Sequence, residues 1–333
     1  MPVTIADSLT VVKSPDLPTF RTPELTVTPA DRPARTGRSA RKVVVPMRRW
    51  SWNLRQVGAP GAWDTTMGDP QVTVAVIDTG IDIHHPDLRG KVLSGADVVN
   101  PGAGWVDDLG HGTAVAGVIG SRGWRIPGLA GVAPGCRLLP IKCNIHGTTH
   151  VRAEHIAAGI RTAIARGAHV INLSVGVVEG EQFLTAEAVD AMADEIKRAL
   201  NRGIVVVCAA GPGGAGPRPW PGSWSRDPHF AGLISVGGSD RHGRRSPCTP
   251  AGDFISVLAP ADGVISTRKG GDFGPFGGTS AAAPHVAGIA ALIRTIRPAA
   301  PPVLVRDWIQ AGAVNGLANA TGALALALRD SLL

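Results

Sequence analysis

From about Trp50 onward, short apolar runs rich in β-branched residues alternate with segments of helical periodicity, and this alternation limits the possible folds most. Residues 72–77, 138–142, 170–174, 204–208 and 233–236 read as strands. Residues 111–120, 153–166, 185–202 and 281–295 read as helices. The 185–202 segment carries Ala188, Met192, Ile196, Ala199 and Leu200 on one face, and 281–295 is too apolar all round to face water. Strands apolar at nearly every position need cover on both faces, and helical crossovers between them make neighbours parallel. The expectation is an α/β protein, three-layer α/β/α, with a mostly parallel sheet. No internal repeat or linker divides the later chain, so residues 49–333 form one domain.

Residues 1–48 differ: they are dense in Pro, Thr and Arg, without a sustained period of 2 or 3.6, and read as an extended or disordered arm. Arg32, Arg35, Arg38, Arg41, Lys42, Arg48 and Arg49 make its second half basic, which a solvated tail explains. The whole chain has 333 residues, is 44% hydrophobic and carries a formal charge of +7. That charge permits attraction to acidic partners, but no nucleic-acid motif accompanies it. No apolar run reaches the length of a membrane span. Residues 1–20 lack a basic segment followed by an apolar stretch, so a cytoplasmic location is expected rather than secretion. Cys136, Cys143, Cys208 and Cys248 lack CxxC spacing and read as buried free thiols, not a metal site.

Three segments carry chemistry. Ala75-Val-Ile-Asp78-Thr-Gly80 ends a buried strand in a carboxylate, and sites in open α/β sheets form beyond the carboxyl ends of strands. His111-Gly-Thr113 opens a helix of small residues that can pack closely beside a cleft. A second copy, His146-Gly-Thr148, does not continue as such a helix, so His111 is the candidate base. Gly277-Gly-Thr-Ser280-Ala-Ala-Ala-Pro284 places Ser280 at a helix N-terminus, where free N–H groups and the helix dipole favour negative charge. Pro284 is expected in the first turn, where a missing N–H does no harm. Serine is a poor nucleophile unless a base takes its proton and an acid orients the base. Asp78, His111 and Ser280 supply all three.

On these motifs the chain resembles the subtilisin-like serine peptidases, the S8 family, from about Trp52 to Arg329. Further matches are His85-Pro-Asp87, Gly131-Val-Ala-Pro134, Ile171-Asn-Leu-Ser-Val-Gly176 and Val257-Leu-Ala-Pro260. The resemblance implies an endopeptidase working through an acyl-enzyme on Ser280, with His111 as general base and acid and Asp78 holding the imidazole. It further implies a protein or peptide substrate extended beside Ser174, Val175 and Gly176, with Ala209, Ala210 and Gly211 forming the other wall. Neither wall carries an acidic residue, which argues against a strict preference for Lys or Arg.

Two departures matter. Relatives read Ala-Ala-Gly-Asn where this chain reads Ala209-Ala-Gly-Pro212, and that Asn completes the oxyanion hole beside the backbone of Ser280. Proline offers neither a side-chain donor nor an N–H. The enzyme is then slow or selective, or finds a donor elsewhere, or is a pseudoprotease serving as a peptide-binding or scaffold module. Secreted relatives also hold calcium partly through the residue matching Asp87 and a loop after the His helix. Here residues 121–127 carry two cations and no carboxylate or Asn, so no cofactor and no metal is expected. Intracellular relatives lay a short extension across the active site, and Val43-Val-Val-Pro46 of the arm could do the same.

Overall fold

The computed structural model describes residues 51–124, 129–181, 184–214, 216 and 219–330. The arm, residues 1–48, and residues 125–127 of the loop after the His helix lie outside the described residues. Along the chain run α1 (Trp52–Gln56), α2 (Ala59–Ala62), β1 (Thr73–Asp78), β2 (Ala96–Asp97) and α3 (His111–Gly120). Next come β3 (Arg137–Lys142), α4 (Ala153–Ala165), β4 (Val170–Leu173), β5 (Val177–Val178), α5 (Ala186–Asn201) and β6 (Val205–Ala209). The remainder is β7 (Pro219–Trp220), β8 (Ile234–Ser239), β9 (Val257–Pro260), β10 (Val264–Arg268), β11 (Asp272–Phe276), α6 (Thr279–Ile296), α7 (Pro302–Ala311) and α8 (Ala320–Arg329).

Seven strands make the central sheet in the order β2-β3-β1-β4-β6-β8-β9, and every neighbouring pair is parallel. All six residues of β1 and all four of β4 are buried, as expected of strands covered on both faces. One face packs against α3 and α6, with α1, α2, α7 and α8 extending that layer; α4 and α5 cover the other. The three-layer α/β/α arrangement read from the sequence is therefore the fold. The expected strands and helices are present with ends displaced by at most three residues. The short strands β2, β5 and β7 and the hairpin β10–β11 carry too few residues to show a period of their own.

The chain leaves β1 for β2 and β3 on one side, then crosses to β4 on the other. The order reverses at β1, and the crevice beyond its carboxyl end is the topological switch point where such sheets bind ligands. Asp78 stands there, with the chain after β4 and after β6 opening onto the same edge. Along α6, every residue from Thr279 to Arg294 is buried, so this helix is the spine of one layer. Pro284 lies inside α6 as its sixth residue, not in the first turn as expected. Its missing N–H would have bonded the Ser280 carbonyl; that carbonyl instead accepts from the Ser174 hydroxyl at 2.9 Å. The proline thus releases an acceptor that ties the nucleophile's helix to the chain after β4.

Candidate active site

Asp78 and His111 are both fully buried, and His111 Nδ1 lies 2.7 Å from Asp78 Oδ1. The same oxygen accepts the Thr79 N–H at 2.7 Å, while Asp78 Oδ2 is buried without a hydrogen-bond partner. His111 is the first residue of α3, following Gly110 at φ +99°. Its ring meets Phe276 edge-on at 5.3 Å. With Nδ1 turned to the carboxylate, Nε2 is the nitrogen left to act, and it is buried without a partner. Burial alone would lower the imidazole pKa, but the charges of Asp78 and Asp107 and the Asp78 hydrogen bond carry it above the ordinary value.

The small residues around this pair are steric necessities. A Cβ at Gly112 would come within 2.1 Å of the Gly80 carbonyl and 3.1 Å of Asp78 Cβ, so only glycine lets α3 start this close to β1. Gly80 itself has φ +102°, with the Trp105 carbonyl 2.5 Å from where a Cβ would stand. The two motifs Asp-Thr-Gly and His-Gly-Thr are thus one interlocked contact. Thr79 Oγ1 accepts the Gly112 N–H at 2.9 Å and donates to Asp107 at 2.8 Å. Asp107 also accepts the Gly110 and Thr113 N–H groups, at 2.7 and 2.8 Å. Burial pushes its carboxyl above the usual range against these donors. Asp107 was missed in the sequence because it lies outside the N-cap position, which Gly110 holds, and meets the start of α3 only through the folded loop.

Ser280 is the second residue of α6, a helix that packs against α3. Its hydroxyl donates to the Ser174 carbonyl at 3.0 Å, so the two serines exchange hydrogen bonds. Beneath the nucleophile, fully buried His285 donates from Nδ1 to the Ala281 carbonyl and accepts from Asn53 on α1 at Nε2, 2.8 and 2.9 Å. Burial lowers its pKa to about 4, so it stays neutral and structural.

Ser174, Val175, Gly176, Ala209 and Gly211 line one cavity of about 260 Å³ together with Ser280. Ala210 does not: it is fully buried behind the wall, because alternation after β6 turns its side chain to the core. Pro212 lines the same cavity and is exposed, and the Thr279 hydroxyl donates to the neighbouring Gly211 carbonyl at 2.9 Å. Trp220 and Pro219 also line it, brought there by the antiparallel pairing of β5 with β7, and Cys248 adds a partly exposed free thiol. The two walls read from the sequence carry no acid, but Glu181, in the turn after β5, lines the cavity too and weakens the argument drawn from them against a Lys or Arg preference. The second His-Gly-Thr copy sits elsewhere: His146 is 74% exposed on a loop and pairs with Asp108 at 3.1 Å.

The region where relatives hold calcium offers a poor donor set. Lys91 is 5% exposed, and its ammonium donates to the Gly120 carbonyl at the end of α3 and to the Pro134 carbonyl before β3, the latter at 2.7 Å. Ser121 Oγ bonds Asp87 at 3.4 Å. Lys91 Nζ, whose pKa burial lowers to about 7, already takes two carbonyl oxygens there that a hard dication would need. Among the described residues no group of three His, Cys, Asp or Glu could hold a metal ion.

The family model described as the subtilase family matches residues 69–325. A thermophilic serine proteinase from Bacillus sp. strain AK1 is 37% identical over 235 residues, covering 70% of this chain and 54% of its own length. Subtilisin Savinase from Lederbergia lenta is 34% identical over 282 residues, covering 82% of this chain and 97% of its own. This chain therefore spans about half of the first relative and nearly all of the second. Fervidolysin from Fervidobacterium pennivorans, a keratinolytic enzyme related to subtilisin, superposes with a TM-score of 0.70 at 28% identity, covering 82% of this chain and 45% of that one. With the family matched over most of its length and the Asp78–His111 pair and Ser280 set at the switch point of its sheet, the chain belongs to the subtilase family of serine peptidases.

Proposed function

We propose that the protein is a serine endopeptidase that cleaves peptide bonds through an acyl-enzyme on Ser280. The observation that carries this reading is the buried 2.7 Å contact between Asp78 and His111, which leaves Nε2 unpartnered on the helix packed beside that of Ser280. Ser280 Oγ turns from the Ser174 carbonyl, gives its proton to His111 Nε2 and bonds the scissile carbonyl carbon. Asp78 holds the ring and stabilises the imidazolium that results. The imidazolium returns that proton to the leaving amine, and water attacks the ester by the same route in reverse. Ser280's own N–H, in the first turn of α6, supports the developing oxyanion. Substrate runs extended along Ser174, Val175 and Gly176, backbone against backbone. A fluorophosphonate probe should label Ser280 covalently and leave the Ser280→Ala variant unlabelled. Absence of labelling in folded protein counts against the reading.

Pro212 favours a second one. It lines the cavity with no side-chain donor and no N–H, so a pseudoprotease that binds peptides in the same groove is the alternative, and the probe separates the two. We further propose that Val43-Val-Val-Pro46 lies across the active site. Deleting residues 1–48 should then raise turnover of a short peptide, and unchanged kinetics would remove this part. Calcium at Asp87 has no role in this scheme, so a strong chelator should leave both labelling and thermal unfolding unchanged.

A further inference from the structure

We infer that Glu181 makes the cavity beside Ser280 selective for a lysine or arginine side chain of the substrate. The inference rests on the peptide-cleft reading above and names the residue that cleft accepts. Three observations converge on it.

The cavity has one charged group among its described lining residues, and that group is Glu181. Its other walls are small or apolar, including Val177, Val178, Ala209 and Trp220. Such walls suit the methylene stem of a basic side chain, and the volume of about 260 Å³ leaves room for only a single long side chain. The carboxylate is also held in place: Glu181 Oε1 accepts the Val178 N–H at 3.1 Å, and the Glu181 N–H bonds the Val178 carbonyl at 3.2 Å. Because Val178 belongs to β5, which pairs with β7, these two bonds tie Glu181 to a strand that lines the cavity.

Glu181 is half-buried, and burial pushes its carboxyl above the ordinary value, against the Val178 hydrogen bond and the charge of His150. A carboxylate stripped of part of its water and lacking a lysine or arginine partner in its cavity is the complement of a cationic ligand. The adjoining hollow of about 670 Å³, which shares Val178, Pro212, Gly213 and Pro219 with this cavity, is lined by Glu179, Asp227 and Asp253. None of its described lining residues is a Lys or Arg. In a chain of formal charge +7, this local negative field is a distinct feature beside the nucleophile, and it would steer basic segments inward.

The test uses the full chain with Ser280→Ala, so that binding is read without turnover. Two tetrapeptides differing only in the C-terminal residue, lysine or norleucine, are compared by calorimetry. A charge-assisted hydrogen bond in a half-wet site predicts that the lysine peptide binds roughly tenfold more tightly. Adding Glu181→Gln should collapse that ratio to near one, and Glu181→Asp should keep part of it. An equal affinity for the two peptides overturns the proposal, as does a lysine preference that survives Glu181→Gln. Should Glu181→Gln fail to fold, the parental ratio and its decline with added salt decide the matter alone. A wild-type chain that hydrolyses neither peptide when each carries a C-terminal p-nitroanilide speaks against the protease reading and leaves this affinity ratio standing or falling by itself.

Discussion

Pro212→Asn is the perturbation that asks most of the active-site reading. If Pro212 occupies the side-chain half of the oxyanion hole, an amide there restores a donor for charge that exists only in the transition state. Loss of one such donor costs ~10² to 10³ in turnover, about 2.7–4 kcal/mol, and this is the ceiling for the gain. The structure argues for less. Pro212 is exposed, so the new amide starts out solvated, and a net hydrogen bond under those conditions is worth about 0.5–1.5 kcal/mol. The neighbours cannot readily re-aim it. Gly211 is held at φ +105°, and the Pro247 carbonyl lies 2.0 Å from where a Gly213 Cβ would stand. A rise of roughly tenfold in kcat is therefore the expected outcome, with KM little changed because ground-state binding gains nothing. Losing the proline also frees the unfolded chain, at about 0.4–1 kcal/mol of stability. Steady-state kinetics on one peptide ester and one amide make the assay, with unfolding followed in parallel. No rise in kcat for either substrate, in a variant that folds normally, would mean that another donor, such as the Gly213 N–H, already completes the hole.

Other outcomes follow from the same geometry. Because the His111 pKa is raised in the folded protein, the acid limb of kcat/KM should fall above the ordinary histidine value of about 6.5. The stability that protonated His111 contributes is full below its unfolded pKa and is lost as pH rises through the folded one, so activity appears as that stability goes. Asp78→Asn should move the limb downward and cut kcat by about 10⁴; an unmoved limb would show that Asp78 does not set the titration. Gly112→Ala should destabilise the protein by about 1–3 kcal/mol and remove activity, since its Cβ would stand 2.1 Å from the Gly80 carbonyl. A normally stable, active variant would contradict the interlocked contact. His146→Ala, at an exposed ion pair, should keep most activity while His111→Ala loses nearly all of it. Equal losses in the two variants would reverse the choice of base.

What could be read from the chain alone was whatever is written locally. Asp78, His111 and Ser280 each sit in a run whose neighbours state the backbone requirement: Thr79 and Gly80, Gly112 and Thr113, Gly278 and Thr279. The strands of the sheet were legible because burial on both faces leaves an unbroken apolar run, and α5 because one face is apolar at helical spacing. Long-range partnership was not legible. Glu181 reaches the cavity only because β5 pairs with Pro219–Trp220, some 40 residues on. His285 is neutral and buried because Asn53, 232 residues away, meets its ring. Nothing around Lys91 in the chain marks it as buried; the Gly120 and Pro134 carbonyls that its ammonium meets come from 29 and 43 residues away. Even Pro284 was misjudged, since its place in α6 depends on a hydroxyl from the chain after β4. The division has one physical cause. Backbone conformation and apolar periodicity are set by interactions among near neighbours. The solvation and pairing of a single polar group depend on which distant segments exclude water around it, and only the packed chain decides that.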